Sequence, residues 1–314
     1  MAELLPAAVP ASQSIGRARR SLAGAITDML AVQDAALEGA WRWRPDDPDD
    51  ADVRYGLYRI HEALEEAVAA VAQGRANDGA ERVAPAVPKL ATSTLARWAL
   101  HGALAPLTTA EIDADPGGGE WSVRQTLGHV VASQRSYGWT SAWFLSRAGT
   151  PDAGKKLPDG ALPELDEDAE GLGTAAEIRA RLDGLLDAAA ERFGALDAAA
   201  LEVPGRWSGL PVTIDFRLGR LGSHIREHTV QVDKTLVTIG RPLSEVERIV
   251  RLAAESFGRL EATVFARPAA DVERAFADGS SAGSIVEAGA TEAARLARSV
   301  REAVGASPRD PESG

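Results

Sequence analysis

The chain has 314 residues, of which 45% are apolar and 25% charged, and its formal net charge is −12. That mixture is typical of a globular protein with one large domain or two ordinary ones. The acidic excess argues against nucleic-acid binding, which needs a basic face to displace counterions from phosphate. The densest basic cluster, Arg17, Arg19 and Arg20, fits the solvated side of a helix. The absence of cysteine excludes disulfides, thiolate metal sites and cysteine nucleophiles.

The sequence gives no sign of a membrane partner. No apolar run approaches the roughly 18 residues that a membrane helix requires. Residues 1–6 lack the basic segment and apolar stretch of a signal peptide, so a cytoplasmic location is expected. Residues 1–13 and 306–314 are rich in Pro, Ser and Asp and are predicted to be flexible tails.

The first third of the chain is predicted to be helical. Alanine, leucine, arginine and glutamate are abundant, while aromatic residues make up only 5%, which favours helix over sheet. Predicted helices cover residues 14–41, 52–72 and 90–105. The apolar residues of the second follow the helical period: Leu57, Ile60, Leu64, Val68 and Val71. We assign residues 14–85 to an N-terminal helical extension.

The central segment, residues 86–240, contains three further predicted helices. Ser122 and Gln125 have the spacing of a capping box, which predicts that a helix begins there and continues to about residue 147. Residues 151–172 form a long acidic loop, which is a crossover, a lid or a disordered insert. Helices at 174–196 and 213–240 follow, joined by a connection that contains Pro and Gly.

Residues 241–305 are predicted to be a C-terminal helical extension. Its helices are expected at about 242–266, 269–277 and 281–304, with Ser244 as the N-cap of the first. Nowhere in the chain do several alternating strands follow one another. The sequence therefore predicts an all-α fold.

The chain has five histidines, and two of them stand four residues apart: His61, His101, His129, His224 and His228. Four residues turn a helix through roughly 400°, so His224 and His228 share a face. Leu221 and Ile225 lie on the same stripe, which predicts that both imidazoles point inward. An unsatisfied buried polar group costs about 1–3 kcal/mol, which a shared metal ion would offset. The spacing alone does not distinguish a metal site from two core histidines that make ordinary hydrogen bonds.

A third metal ligand would have to come from another helix. His129 lies on a polar stripe with Thr126 and Ser133, which suits a wet metal cavity but also fits a surface histidine. His61 and His101 are the competitors. For both of them a satisfied core or packing residue is the favoured interpretation.

Two segments, WSVRQTLGHV at 121–130 and HIREHTVQ at 224–231, together resemble the DinB-like (YfiT-like) superfamily of metal-dependent enzymes. The resemblance covers about residues 86–240. It implies a four-helix bundle with a long crossover, here with additional N- and C-terminal helices. It also implies that His129, His224 and His228 hold one divalent metal ion, zinc or nickel, with water in the open positions.

The resemblance also carries expectations about chemistry. The superfamily includes transferases and isomerases, such as maleylpyruvate isomerase, that use mycothiol or bacillithiol. It therefore implies a small-molecule substrate and a low-molecular-weight thiol such as mycothiol. The extensions at 14–85 and 241–305 depart from the family pattern and could cover the cavity or form a homodimer interface.

Glu227 lies on the metal side of the predicted helix and could act as a general base or bond a ligand's second nitrogen. The alternative is a surface salt bridge. The same stretch also reads as H-x-x-E-H, the pattern of one class of zinc peptidase, with Glu255 or Glu261 as the third ligand.

A non-enzymatic interpretation is a metal-stabilised helical binding or scaffold protein. In that case a fourth protein ligand such as His61 is expected to close the site. Three ligands with an open position instead favour catalysis.

Overall fold

The computed structural model describes residues 12–44, 46, 51–79 and 83–307. These residues form twelve α-helices, one short 3-10 turn and two antiparallel strand pairs, so the predicted all-α fold is confirmed. The predicted tails fall mainly outside the described residues, at 1–11 and 308–314. Ser12 already belongs to the first helix as its N-cap.

The helices are α1 (Gln13–Leu30), α2 (Val53–Asp78), α3 (Ala86–Leu104), α4 (Thr109–Asp113), α5 (Val123–Ser146), α6 (Glu167–Glu170), α7 (Ala175–Phe193), α8 (Ala198–Leu201), α9 (Ile214–Thr238), α10 (Glu245–Ala262), α11 (Ala269–Glu273) and α12 (Ala282–Ala303). The strands are β1 (Ala40–Trp41), β2 (Ala51–Asp52), β3 (Pro204–Trp207) and β4 (Leu210–Thr213). Within the described residues, no helix is both long enough and apolar enough to cross a membrane. The cytoplasmic location stays a prediction.

Helices α3, α5, α7 and α9 form one four-helix bundle, the central bundle. Each of α3 and α5 packs against both α7 and α9, which closes the ring. Its core contains fully buried apolar side chains from all four helices, among them Leu90, Val130, Leu186 and Ile225. The long crossover between α5 and α7 carries the short helix α6.

The two extensions build a second four-helix bundle, the terminal bundle, from α1, α2, α10 and α12. Helix α12 packs between α1 and α2, and α10 contacts the same two helices from the other side. Leu22, Leu57, Phe257 and Leu296 lie in its separate apolar core. The first and last helices of the described chain are thus direct neighbours.

The two bundles meet where α3 packs against α10. Glycine makes a close approach of these helices possible, because a Cβ atom at Gly102 would lie 2.9 Å from the Cβ of Ala254. A Cβ at Gly258 would lie 3.0 Å from that of Trp98. Helix α3 therefore belongs to the central bundle and also provides the surface against which the terminal bundle packs.

A buried charge cluster, the Glu261 cluster, crosses this interface. The fully buried carboxylate of Glu261 accepts hydrogen bonds from Arg19 Nε at 2.5 Å, from Trp98 Nε1 at 2.7 Å, and from Arg97 and Thr94. Burial opposes the charged carboxylate, but Arg19 and Arg97 outweigh that effect and hold the pKa of Glu261 well below its usual range.

Asp187 of α7 completes the Glu261 cluster. It accepts two hydrogen bonds from Arg19, at 2.5 and 2.8 Å, and one from Arg97 at 3.0 Å. The prediction that Arg19 lies on a solvated face is therefore wrong. Its guanidinium points inward because two carboxylates there, those of Glu261 and Asp187, would otherwise share Arg97 as their single close guanidinium partner.

The predicted helix over 14–41 ends early, at Leu30, and the chain continues through the 3-10 turn Asp34–Ala36 into β1. The reason is tertiary. The Asp34 carboxylate accepts hydrogen bonds from the backbone N–H groups of Glu245 at 2.9 Å and Val246 at 3.0 Å. Asp34 thereby supplements Ser244, which is the predicted N-cap of α10 and is confirmed.

The Pro/Gly connection before α9 also differs from the prediction, because it is a hairpin of β3 and β4. Its turn residues, Ser208 and Gly209, both have positive φ, 47° and 85°. Such a two-residue turn matches the twist of paired strands.

Replacing Glu261 with glutamine should destabilise the protein by about 3–5 kcal/mol, because Arg19 and the buried Arg97 would then share Asp187 as their close carboxylate and would be incompletely neutralised. Urea unfolding followed by circular dichroism measures the change. The matched control is Glu255→Gln, an exposed glutamate on the same helix, with an expected change within about 0.5 kcal/mol. A loss below about 1 kcal/mol for Glu261→Gln would contradict the role given to the cluster.

Candidate metal centre

Helix α5 begins as the sequence predicts. Its capping box is present: the Gln125 N–H donates to Ser122 Oγ at 3.2 Å, and the Ser122 N–H donates to Gln125 Oε1 at 2.9 Å. These bonds satisfy two of the helix's free donors. They fix the first turn of α5, and His129 lies in its second turn.

The structure brings His129, His224 and His228 together. One nitrogen atom from each ring lies within 4.8 Å of the other two. The Nε2 atoms of His224 and His228 are 3.1 Å apart. The centroid of the His129 ring lies 5.2 Å from the centroid of the His224 ring and 4.8 Å from that of the His228 ring. The H-x-x-x-H pair on α9 therefore meets the single histidine of α5.

The other ring nitrogens of two of these histidines are held by oxygen acceptors. His129 Nδ1 lies 2.8 Å from Glu167 Oε1, and His228 Nδ1 lies 2.8 Å from Gln231 Oε1. Such partners fix the tautomer and leave Nε2 with a lone pair. The Nδ1 atom of His224 is buried and has no hydrogen-bond partner among the described residues.

Burial keeps the α9 pair neutral. It lowers the pKa of His224 to about 3, and repulsion from His228 and His129 adds to the effect. Burial also lowers the pKa of His228. A neutral imidazole is the form that binds a metal ion, and three of them suit zinc or nickel. The residues present therefore fit such an ion.

Gly128 allows the crossover to reach His129. A Cβ atom at this position would lie 2.3 Å from the carbonyl oxygen of Glu167, so the close contact of α6 with α5 requires glycine. Arg135 Nε donates to Glu170 at 2.5 Å and holds the other end of α6. Of the three alternatives for residues 151–172, the crossover is confirmed, since this segment links α5 to α7.

A second glycine sets the position of the histidine pair. A Cβ at Gly222 would lie 2.6 Å from Thr92 Oγ1 and 2.8 Å from the Thr92 carbonyl oxygen. Helices α9 and α3 thus approach closely two residues before His224. The interface helix α3 therefore supports the histidine helix directly.

Aromatic rings border the three histidines. Trp121 lies 5.1 Å from the His129 ring, and Tyr137 lies 5.3 Å from the His224 ring. Trp207, carried by the hairpin, lies 4.8 Å from Tyr137. Burial raises the pKa of Tyr137, although its hydrogen bond with Arg220 opposes the rise. Its hydroxyl is therefore protonated at neutral pH and available as a donor.

Glu227 is part of an ion pair. Arg220 donates to its two carboxylate oxygens at 2.6 and 2.9 Å, and the Glu227 side chain is 54% exposed. The hydrogen bond with Arg220 lowers the pKa of Glu227, which makes it a weaker base. The salt-bridge alternative thus describes its observed contacts, and the catalytic role stays a prediction.

The remaining histidines lie elsewhere. His101 is buried, with Nε2 2.8 Å from Asp183 Oδ1 and its ring edge-on to Trp98, as expected for a packing residue. His61 is half-buried on α2 of the terminal bundle, where it contacts Tyr58.

The zinc-peptidase arrangement has no support in the geometry. Glu261 belongs to the buried charge cluster, and Glu255 is exposed on α10. Neither joins the histidine group within the described residues.

Residues 94–232 match the family model of the DinB superfamily. Over this segment the chain is similar to that superfamily. The match begins in α3, ends in α9 and contains all three clustered histidines of the DinB-like bundle. Comparisons with curated proteins and with solved structures gave no match.

Several residues of the DinB-like centre were not predicted from sequence, namely Glu167, Tyr137, Trp207 and Arg220. Arg220 carried a usable signal, because it lies four residues before His224 and therefore on the same helical face. Glu167 carried none beyond the acidity of its loop, since only the packed crossover places it beside His129.

Gly128→Ala should loosen the crossover, because the new Cβ cannot coexist with the Glu167 carbonyl at its present position. Hydrogen exchange of residues 166–173, read by mass spectrometry, should rise at least about tenfold while α5 stays protected. The control is Gly184→Ala in α7, where a Cβ meets nothing within 4 Å. That control should leave exchange unchanged and stabilise the helix by about 0.5–1 kcal/mol. Equal exchange in both variants would contradict the close-packing argument.

Proposed function

We propose that the DinB-like bundle is a metal-dependent enzyme that binds one zinc or nickel ion on His129, His224 and His228. The observation that carries this proposal is the convergence of three imidazoles from two helices, two of them with Nδ1 already occupied by an acceptor. Ordinary core histidines usually direct the second nitrogen at separate oxygen acceptors, whereas here the Nε2 atoms of His224 and His228 face each other at 3.1 Å with His129 beside them.

An open site favours catalysis over a structural role. Structural zinc sites generally have four protein ligands, whereas catalytic sites keep a position open. Within the described residues, the group of possible ligands contains three histidines, and His61 lies in the other bundle. This is the argument against a metal-stabilised scaffold.

We further propose that the site activates a low-molecular-weight thiol such as mycothiol for attack on an electrophilic small molecule. His129, His224 and His228 would hold the ion as neutral ligands, and an ion held in this way would keep its full charge and could lower the pKa of a bound thiol. The thiol would lose its proton to solvent, and its sulfur would then bond to an electrophilic carbon of the substrate while the π bond from that carbon opens, its electron pair moving to the neighbouring atom, which takes up a proton. The chain contains no cysteine, so the sulfur must come from a cosubstrate.

The surrounding residues have separate parts in this proposal. The Tyr137 hydroxyl, next to the His224 ring, donates a hydrogen bond to negative charge that develops on the substrate. Trp121 and Trp207 pack against the apolar part of the substrate and exclude water from it. Glu227 holds the Arg220 guanidinium beside the Tyr137 hydroxyl.

The metal site is tested by elemental analysis of tag-free protein. We expect about one zinc or nickel per chain, and at least a tenfold loss of bound metal in His224→Ala. His61→Asn is the control, because this histidine lies on α2 away from the centre, and it should keep its metal. Either an absence of bound metal after reconstitution or an unchanged metal content in His224→Ala would contradict the proposal.

The thiol is tested separately on protein loaded with Co²⁺. Mycothiol should produce a sulfur-to-cobalt charge-transfer absorption in the near ultraviolet, since a thiolate would then bind the ion. S-methyl mycothiol, which cannot form a thiolate, should not. Absence of the band from protein whose visible spectrum shows bound cobalt would reject the thiol and leave the metal site intact.

A further inference from the structure

A cavity of about 420 Å³ lies between α1, α3 and α7, where the two bundles meet. Its volume is within the range of small-molecule sites, about 300–1,000 Å³. None of the three clustered histidines lines it. Its apolar wall includes Ile26 and Leu30 from α1, Trp98 from α3 and Ala180 from α7.

Three arginines also line this cavity, namely Arg19, Arg20 and Arg179. Arg19 is engaged in the Glu261 cluster. Arg20 and Arg179 have neither a hydrogen bond nor an ion pair with any residue that the structure describes. Two guanidinium groups therefore remain available to a ligand.

The carboxylate in the cavity, Asp183, forms no direct ion pair with Arg20 or Arg179. It accepts a hydrogen bond from His101 at 2.8 Å and lies 3.6 Å from Arg97 Nε, so its charge is shared among several cationic or polar groups. Burial lowers the pKa of Arg179, although Asp183 opposes this effect. Arg179 is partly buried and forms no direct ion pair, so a bound anion would offset part of the cost of burying its charge, whereas Arg20 is exposed at the edge of the cavity. The excess positive charge stands out in a chain of net charge −12.

We propose that this cavity is a second ligand site, which binds a small amphipathic carboxylate. Its anionic group pairs with Arg20 and Arg179, and its hydrocarbon chain lies along the apolar wall. A planar guanidinium is well suited to a carboxylate, because it can donate two parallel hydrogen bonds. The site is independent of the proposed metal chemistry, since it shares no residue with the histidine centre.

Isothermal titration calorimetry of the full chain tests the site with octanoate as the probe. Arg179→Ala should weaken octanoate binding at least about tenfold, because it removes a charge-assisted pair. Ala180→Phe should also weaken it, by filling the cavity from an exposed helix position. The matched control is Arg298→Ala, an exposed arginine on α12 outside the cavity, which should leave binding unchanged.

Three further probes separate the parts of the proposal. 1-Octanol and octylamine carry the same chain without the anion, and inorganic phosphate carries an anion without the chain. All three should bind at least about tenfold more weakly than octanoate. Equal binding of octanol would reduce the site to an apolar pocket, and equal binding of phosphate would reduce it to an anion site; either result overturns the proposal.

The variants themselves can overturn it as well. Octanoate binding that is unchanged in both Arg179→Ala and Ala180→Phe would place the ligand elsewhere. Circular dichroism and metal content should match the parent protein in both variants, because neither residue belongs to the Glu261 cluster or to the histidine centre. Should Arg179→Ala fail to fold, Ala180→Phe and the three probes decide the outcome.

Discussion

The buried carboxylate of Glu261 ties the whole molecule together. Its counter-charges come from α1 and α3, and those same arginines also bind Asp187 of α7, so helices of both bundles must be in place before the charge is satisfied. An incompletely paired buried charge costs several kcal/mol, so partial assembly is penalised. Helix α3, fixed in this way, then supports α9 through the contact of Thr92 with Gly222. The position of His224 therefore depends on a charge cluster to which it contributes nothing.

The histidine centre depends on both local and distant constraints. The helical period alone places His224 and His228 on one face, and the capping box fixes where α5 begins. The third histidine gains its orientation from Glu167, which belongs to the crossover. Gly128 permits that contact because the α6 backbone lies where a side chain would otherwise be. The pair on α9 is thus determined by residue spacing within one helix, whereas the orientation of His129 is determined by the packing of the crossover between α5 and α7.

The predictions from sequence succeeded where local rules decide the outcome. Capping residues gave the starts of α5 and α10, and the H-x-x-x-H spacing gave the pair on α9. The predictions failed where a structural feature depends on a contact with a residue far away in the sequence. Apolar stripes show that a helix face is buried but not against what, so the union of the two extensions in one bundle was not foreseen. The early end of α1 has the same origin, because Asp34 caps a helix more than 200 residues away in sequence.

The distribution of buried cations distinguishes the two ends of the central bundle. At the bundle interface, Arg97 is matched by carboxylates. Near the histidine centre, Arg217 is buried, and it donates to Ser141 Oγ at 3.2 Å and to the Arg206 carbonyl at 2.6 Å, which are neutral acceptors. Burial lowers its pKa to about 10, so it remains charged at neutral pH. Adding a divalent ion on neutral imidazoles would increase the positive potential on this side of the bundle. Such a field would favour an anionic ligand, and the thiolate proposed above would be one.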